Sequence, residues 1–460
     1  MTVVLRVRAD IDLDAYERVT RRGEGVEIAA AALDRMAECR RSFLALLESQ
    51  PGLAVYGVTT GLGERAKDVL GAVEQAAQAE QPPVTGSSFG EPLPEPVVRG
   101  IVLARLANLL EGHAAVRPEI ATTVAAMLGE EPLPAVPLRG NGGAGEILAL
   151  GRLFHDLGTR MRLEPKESLA LVNGSPCAAA LVADRALEAR RRLPVAERVF
   201  ALAAEAIGAP PEAYAPELEA LWEDEAEAAA LRSVRAALAG GASDRRGHQA
   251  PVSFRILPRL LGRSRRALEE AERAARVSLR AASDNPVYAP PSGANPLGRI
   301  LSNGGFHNSM AAPAIDGLAF AAADLCQLAE RQTEALLREL LELGACPRPL
   351  STLSMVQAAW AEDARTSAQA TILPLGGLGQ NDTPSLGFFA WEKARRVTAC
   401  LEASLATLAV VASQALHAHR RPAPPALERL LEAVRDRVPV VDRPRPLGDE
   451  LERLASALAC

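Results

Sequence analysis

The sequence predicts an all-α protein built around a bundle of long helices. Alanine and leucine, both strong helix formers, dominate a 460-residue chain with only 3% aromatic residues. Three stretches, roughly 261–282, 311–343 and 388–417, repeat apolar residues at spacings of three and four over lengths that only a helix can use. Hydrophobic residues at 48% and charged residues at 23% give an ordinary globular balance, and a chain of this size buries enough core to need no disulfide or metal for stability.

The elements follow in order. Residues 28–49 carry an amphipathic helical pattern that Pro51-Gly52 stops. Residues 55–63 are too rich in glycine for a helix and read as a loop. Helical stretches at 95–112 and 117–128 end at the cluster Pro132, Pro134 and Pro137. A glycine-rich segment, Arg139 to Glu146, comes next. The three long stretches then form the expected core. Helices of that length bury their apolar stripes against one another, and chains of this kind extend the bundle by pairing with copies of themselves. Residues 290–296 read as a flexible insertion, Pro422 to Pro425 break the last long helix, and 427–438 form a shorter terminal one. The expected organisation is a loop-rich helical domain over 1–200 and a long-helix bundle with C-terminal helices over 201–460.

Charge and cysteine usage narrow the function classes. A formal charge of −6 provides no basic field for a phosphate backbone, so no nucleic acid is expected as partner. Cys39, Cys177, Cys326, Cys346, Cys400 and Cys460 show no C-x-x-C spacing and no paired histidine, and no metal or disulfide framework is expected. The N-terminus has acidic residues at Asp10 and Asp12 and no basic-then-apolar block, and no apolar run of membrane-spanning length stands out. A cytoplasmic protein acting on a small molecule is the expectation.

Polar, glycine-rich islands interrupt the apolar background, and loops of this kind between rigid helices are where binding sites form. In order they resemble the motifs of the aromatic amino acid lyase superfamily, which includes histidine, phenylalanine and tyrosine ammonia-lyases and related aminomutases. Tyr56 to Gly63 match Y-G-V-x-T-G-F-G with Leu62 for the phenylalanine, and Lys166 to Ser175 match K-E-G-L-A-L-x-N-G-T. Ser283 to Pro286 match S-D-N-P, Gly304-Gly305-Phe306-His307 match G-N-F-H, and Arg255 matches the arginine of P-Y-S-x-R. The resemblance spans roughly 25–445. It implies the long-helix bundle of the fumarase/aspartase type and a homotetramer. It also implies Tyr56 as general base, Arg255 as carboxylate anchor, and Asn173, Phe306, Gln380 and Asn381 as substrate contacts.

The chain also departs from that pattern. The family's electrophile, methylidene-imidazolone, forms from an Ala-Ser-Gly tripeptide, and the matching positions here are Gly143, Ala144 and Gly145. No serine occurs between Pro137 and Arg160. The methyl of Ala144 has no leaving group, so no such cofactor is expected. Val252 stands where the family has a second tyrosine, and Asn381 where histidine lyases have an acid. Glu146 replaces the aspartate that follows the tripeptide. Nothing in these motifs argues for histidine as substrate. The leading expectation is an electrophile-free enzyme of elimination, conjugate addition or cyclisation on an activated, anionic specialised metabolite. A non-catalytic binding or regulatory homologue is the alternative, as is an amino acid ammonia-lyase whose cofactor loop aligns differently.

Overall fold

Among the described residues helices carry the architecture, and strands are reduced to two short pairs. The computed structural model describes residues 2–129, 132–373, 379 and 381–459. Strand β1 (Thr2–Leu5) pairs in parallel with β2 (Gly25–Ile28) across helix α1 (Leu13–Arg21). Then follow α2 (Ala30–Ser49), α3 (Ala72–Glu80), α4 (Glu95–Leu109), α5 (Pro118–Ala126), α6 (Ile147–Arg160), α7 (Glu167–Val172) and α8 (Pro176–Ala206). Next come α9 (Glu217–Trp222), α10 (Glu225–Leu238), α11 (Val252–Arg255) and α12 (Leu257–Arg280). The antiparallel strands β3 (Val287–Ala289) and β4 (Arg299–Leu301) precede α13 (Ala311–Glu342). The chain ends with α14 (Arg348–Ser351), α15 (Leu353–Ser367), α16 (Gly387–Ala418), α17 (Glu428–Arg437) and α18 (Gly448–Ala459).

Local chemistry sets several boundaries. Asp12 and Asp224 open α1 and α10 by accepting the main-chain N–H groups of Ala15 and Glu227, both at 2.9 Å. Proline in the first turn starts α4 and α5, where a missing N–H is harmless. The segment 290–296 is no loose insertion. It closes the β3–β4 hairpin, and Ser292 and Asn295 bridge its tip.

Two expectations need correction. A fourth long helix, the 31-residue α8, joins the three predicted ones. Its first turns are buried on every side and rich in alanine, so they show no polar stripe against which to detect a period. Helix α16 is long and apolar enough by composition to cross a membrane, with a mean hydropathy of 1.5 over its most apolar 18 residues. Of that stretch 83% is buried within the fold, which removes any need for a polar face.

The chain forms two compact units from interleaved segments. One comprises 1–187, 271–314 and 371–392, the other 188–270, 315–370 and 393–460. Four of their five limits fall inside helices, namely α8, α12, α13 and α16. In the first unit, Cys39, Phe43 and Leu46 of α2 pack with Val55, Val58, Ala115 and Tyr288, the two aromatic rings meeting edge to face at 5.7 Å. In the second, buried Glu197 pairs with Arg265 and accepts the Ser233 hydroxyl at 2.6 Å, while Arg245 reaches buried Glu205 at 2.7 Å.

One heavily used acid of the first unit is Asp184, 3% exposed. It accepts the Trp391 indole N–H at 2.8 Å, and it pairs with Arg21 at 2.5 Å and Arg185 at 2.6 Å. Removing a buried acid strands the charges it neutralised. Asp184→Ala should lower unfolding stability by about 3–5 kcal/mol, read from urea denaturation, whereas loss of exposed Glu362 beside Arg365 should leave it almost unchanged.

Candidate active site

The Tyr56 loop is a self-bonded turn. The carbonyl of Val55 accepts the N–H groups of Val58, Thr59 and Thr60, and the Thr59 hydroxyl donates to the Leu53 carbonyl at 2.6 Å. These bonds curl the chain so that the half-buried Tyr56 side chain folds back over its own loop, where its hydroxyl oxygen accepts the N–H of Gly63 at 3.0 Å. Asn381 lies beside this loop, its amide nitrogen 3.5 Å from a Glu64 carboxylate oxygen. Gln380 falls outside the described residues. A cavity of about 70 Å³ sits between the loop and α7, lined by Gly57, Leu62, Thr85, Lys166, Leu169 and Val172.

Asn173 occupies the break between α7 and α8. Its carbonyl accepts a short bond from the Arg105 guanidinium, and its side-chain oxygen is buried without a partner. Gly174 follows at φ +105°, and a Cβ there would come within 2.9 Å of both Arg105 Nη2 and Ser283 Oγ, so glycine is required twice over. Ser283 in turn accepts the N–H of Ser175 at 2.9 Å, and its own N–H donates to Asn108 at 2.6 Å.

The loop that follows hangs from Asp284, which pairs with Lys166 at 2.5 Å, both side chains essentially inaccessible. Asn303 donates to the Asp284 carbonyl at 3.1 Å and accepts the Gly305 N–H at 2.7 Å, which sets the turn leading to Phe306. A Cβ on Gly145 would lie 3.6 Å from the Phe306 ring, so Phe306 stands directly against the Gly143-Ala144-Gly145 segment. That segment is also held by the Ser385 N–H, which donates to the Gly143 carbonyl at 3.0 Å.

Two groups gain importance that the sequence alone did not assign. Glu146 turns inward, 4% exposed, and its carboxylate accepts the N–H groups of Cys177 at 2.5 Å and Ala178 at 2.7 Å. It therefore occupies the N-terminus of α8, where unsatisfied donors and the helix dipole favour an anion. Burial pushes this carboxyl up to about 7, against the opposing pull of those N–H groups and of Arg105. Arg105 is fully buried, which pulls its guanidinium below the usual range, and its Nε and Nη2 have no partner. The signal was an arginine set in the apolar run of α4, too costly to bury without a task.

Tyr56, Asn173, Phe306, Asn381 and Ala144 thus belong to the first unit, where the structure joins Asn381 to the Tyr56 loop and Phe306 to the Ala144 segment. Arg255 and Val252 belong to the second. Both lie on α11, where Arg255 Nε donates to the Ala250 carbonyl at 3.0 Å and Val252 is 57% exposed.

A bundle of long helices carrying a tyrosine loop, a helix-break asparagine and an asparagine-anchored phenylalanine defines a lyase-type scaffold. The chain belongs to the aromatic amino acid lyase family, whose model matches residues 11–159 and 155–436. A histidine ammonia-lyase of Deinococcus radiodurans is 30% identical over 98% of this chain and 92% of its own length. A tyrosine aminomutase from Streptomyces globisporus superposes with a TM-score of 0.85 at 25% identity, covering 99% of this chain and 97% of that one. The ergothionase of Treponema denticola, solved with desmethyl-ergothioneine sulfonic acid, shares the fold with a TM-score of 0.88 at 17% identity over 100% of this chain and 98% of its own.

Glu146 makes stability depend on pH in a defined sense. Its folded-state value near 7 lies above the ordinary carboxyl value of 4.5, so the folded chain holds the proton more tightly than the unfolded one. The resulting stabilisation is complete below the ordinary value and is lost as pH rises through about 7. Thermal unfolding should show the wild type losing ground to Glu146→Gln between about pH 5 and about pH 8, because glutamine does not titrate. A constant difference across that range would contradict the assignment.

Proposed function

We propose that this family member is an enzyme that works without methylidene-imidazolone, with Tyr56 as its general base. The observation that carries the reading is a contrast within the first unit. The Tyr56 phenol is retained with a main-chain donor on its oxygen, while the position matching the reactive serine is Ala144 in a stretch from 138 to 159 that contains no serine. Forming the exocyclic methylidene requires loss of a hydroxyl, and a methyl group has none. The residues present do not fit the prosthetic group.

What remains is proton transfer and positioning. The N–H of Gly63 fixes the Tyr56 oxygen in place. The unpartnered oxygen of Asn173 is free to accept a donor from substrate. Arg255 supplies a fixed positive charge for a carboxylate, Phe306 and Asn381 bound the substrate, and Val252 removes a second proton-transfer group. Without an electrophile, ammonia cannot be expelled from an unactivated amino acid. A substrate carrying its own activation, such as an imine, thioester or enone beside the proton removed, needs only what this chain retains. Elimination, conjugate addition or cyclisation on an anionic specialised metabolite, in a cytoplasmic homotetramer, is the function proposed. Loss of both the electrophile and the second tyrosine also suits a non-catalytic binding homologue, which the experiments below separate.

Intact-mass spectrometry of the purified protein should return the full encoded mass. A deficit of about two waters in the peptide containing Gly143 to Gly145 would mean that the prosthetic group forms and that an ordinary ammonia-lyase reading holds.

Kinetics on the substrate should divide the two retained groups. Tyr56→Phe keeps the ring and removes the acid-base oxygen, lowering kcat by roughly a hundredfold or more with little change in binding. Arg255→Met keeps the stem and loses the charge, so its main effect should be on KM. Full activity in Tyr56→Phe places the base elsewhere, and ligand binding that needs Arg255 without any turnover favours the binding homologue.

A further inference from the structure

We propose that the second unit carries an anion site at the C-terminal end of α16, suited to a phosphate or phosphate ester and built from residues with no part in the function above. A cavity of about 880 Å³ opens there between the last turn of α16, the turn 344–347 after α13, Arg435 of α17 and the segment 440–442. Its volume is in the range that takes up a small molecule.

The charge lining this cavity opposes that of the chain. His417, Arg420, Arg421 and Arg435 face it with a single carboxylate, Asp442, in a protein of formal charge −6. Asp442 also acts on Arg445, which is not part of the lining. Arg421 is tied down, donating to the Asp244 carbonyl at 2.7 Å and reaching Glu205 at 3.4 Å, yet its buried Nε has no partner. Among the described residues Arg435 makes one long hydrogen bond, from Nε to the Ser413 hydroxyl at 3.3 Å. Arg420 forms no ion pair among the described residues, and its backbone sits at φ +53°, a conformation that a branched-free but bulky side chain adopts only under constraint.

The simpler explanation is that these basic groups complete the negative end of a helix. The backbone already does so. The carbonyls of Ala415, Leu416 and His417 accept the N–H groups of His419, Arg421 and Arg420 at 3.0, 2.9 and 3.1 Å. The guanidinium groups are therefore not needed as caps. The walls are also fixed in place. The Gln414 side chain accepts the Val441 N–H at 3.0 Å and donates to its carbonyl at 3.4 Å, and Gly344 with the Ala345 N–H on the Leu340 carbonyl closes α13. Guanidinium forks on rigid walls match the paired oxygens of a phosphate better than any single-point anion.

The test is calorimetric and thermal titration of the full chain with sodium phosphate, with sodium chloride at matched ionic strength, and with ribose 5-phosphate. Saturable binding of phosphate, absent with chloride and weakened roughly tenfold in both Arg420→Gln and Arg435→Gln, is the expected result. Arg420 is exposed, so its replacement leaves the fold intact even if Arg435→Gln does not. Tighter binding of ribose 5-phosphate than of phosphate identifies a phosphate ester as the natural class, and equal binding identifies the free ion. No saturable response to either, an equal response to chloride, or an undiminished response in Arg420→Gln overturns the proposal.

Discussion

The loops of the first unit depend on buried charge that is matched to main-chain groups. Glu146 spends its carboxylate on the first free N–H groups of α8, and Arg105 spends part of its guanidinium on the carbonyl of Asn173. Lys166 and Asp284 neutralise each other out of contact with water. Each ion is expensive to bury, and each is retained where a loop would otherwise leave a peptide group unsatisfied. Segments 143–146, 173–175 and 283–306 are thereby fixed to helices rather than to one another's flexible side chains. A loop-built site gains the precision of a site on rigid elements in this way.

The same arrangement accounts for how the segment bearing Ala144 is held. Its carbonyl at Gly143 is held by Ser385, its flank by Phe306, and its end by the carboxylate of Glu146. None of these contacts involves the residue at 144. The segment is therefore held by its flanking residues rather than by its central one.

The sequence discloses what is periodic or contiguous. Helices α12 and α13 are legible because each presents an apolar stripe, α16 through the length of its apolar run, and Tyr56, Asn173 and Phe306 because each sits inside a short ordered motif. Helix α8 is hidden by its own burial, since alanine on every face erases the period. The hairpin tip at 290–296 has loop composition, and only the pairing of Val287–Ala289 with Arg299–Leu301 shows it to be ordered. The tasks of Glu146 and Arg105 are invisible for a different reason. Their partners are main-chain atoms 31 and 68 residues away, and a peptide group carries no letter in the sequence. The limits of the two units are hidden likewise, because helices that run through both leave no linker of distinctive composition.

Those shared helices have a consequence for biosynthesis. The first unit draws its last segment from 371–392, almost two hundred residues after 187, where its first segment ends. Its contacts therefore close over a long sequence separation, which slows folding and delays the burial of apolar surface. During translation the N-terminal segment must wait, with its core incomplete, until most of the chain has left the ribosome. A single cut keeps the segments of one unit together, on 1–392 for the first or 188–460 for the second, only by carrying along segments of the other that have lost their partners.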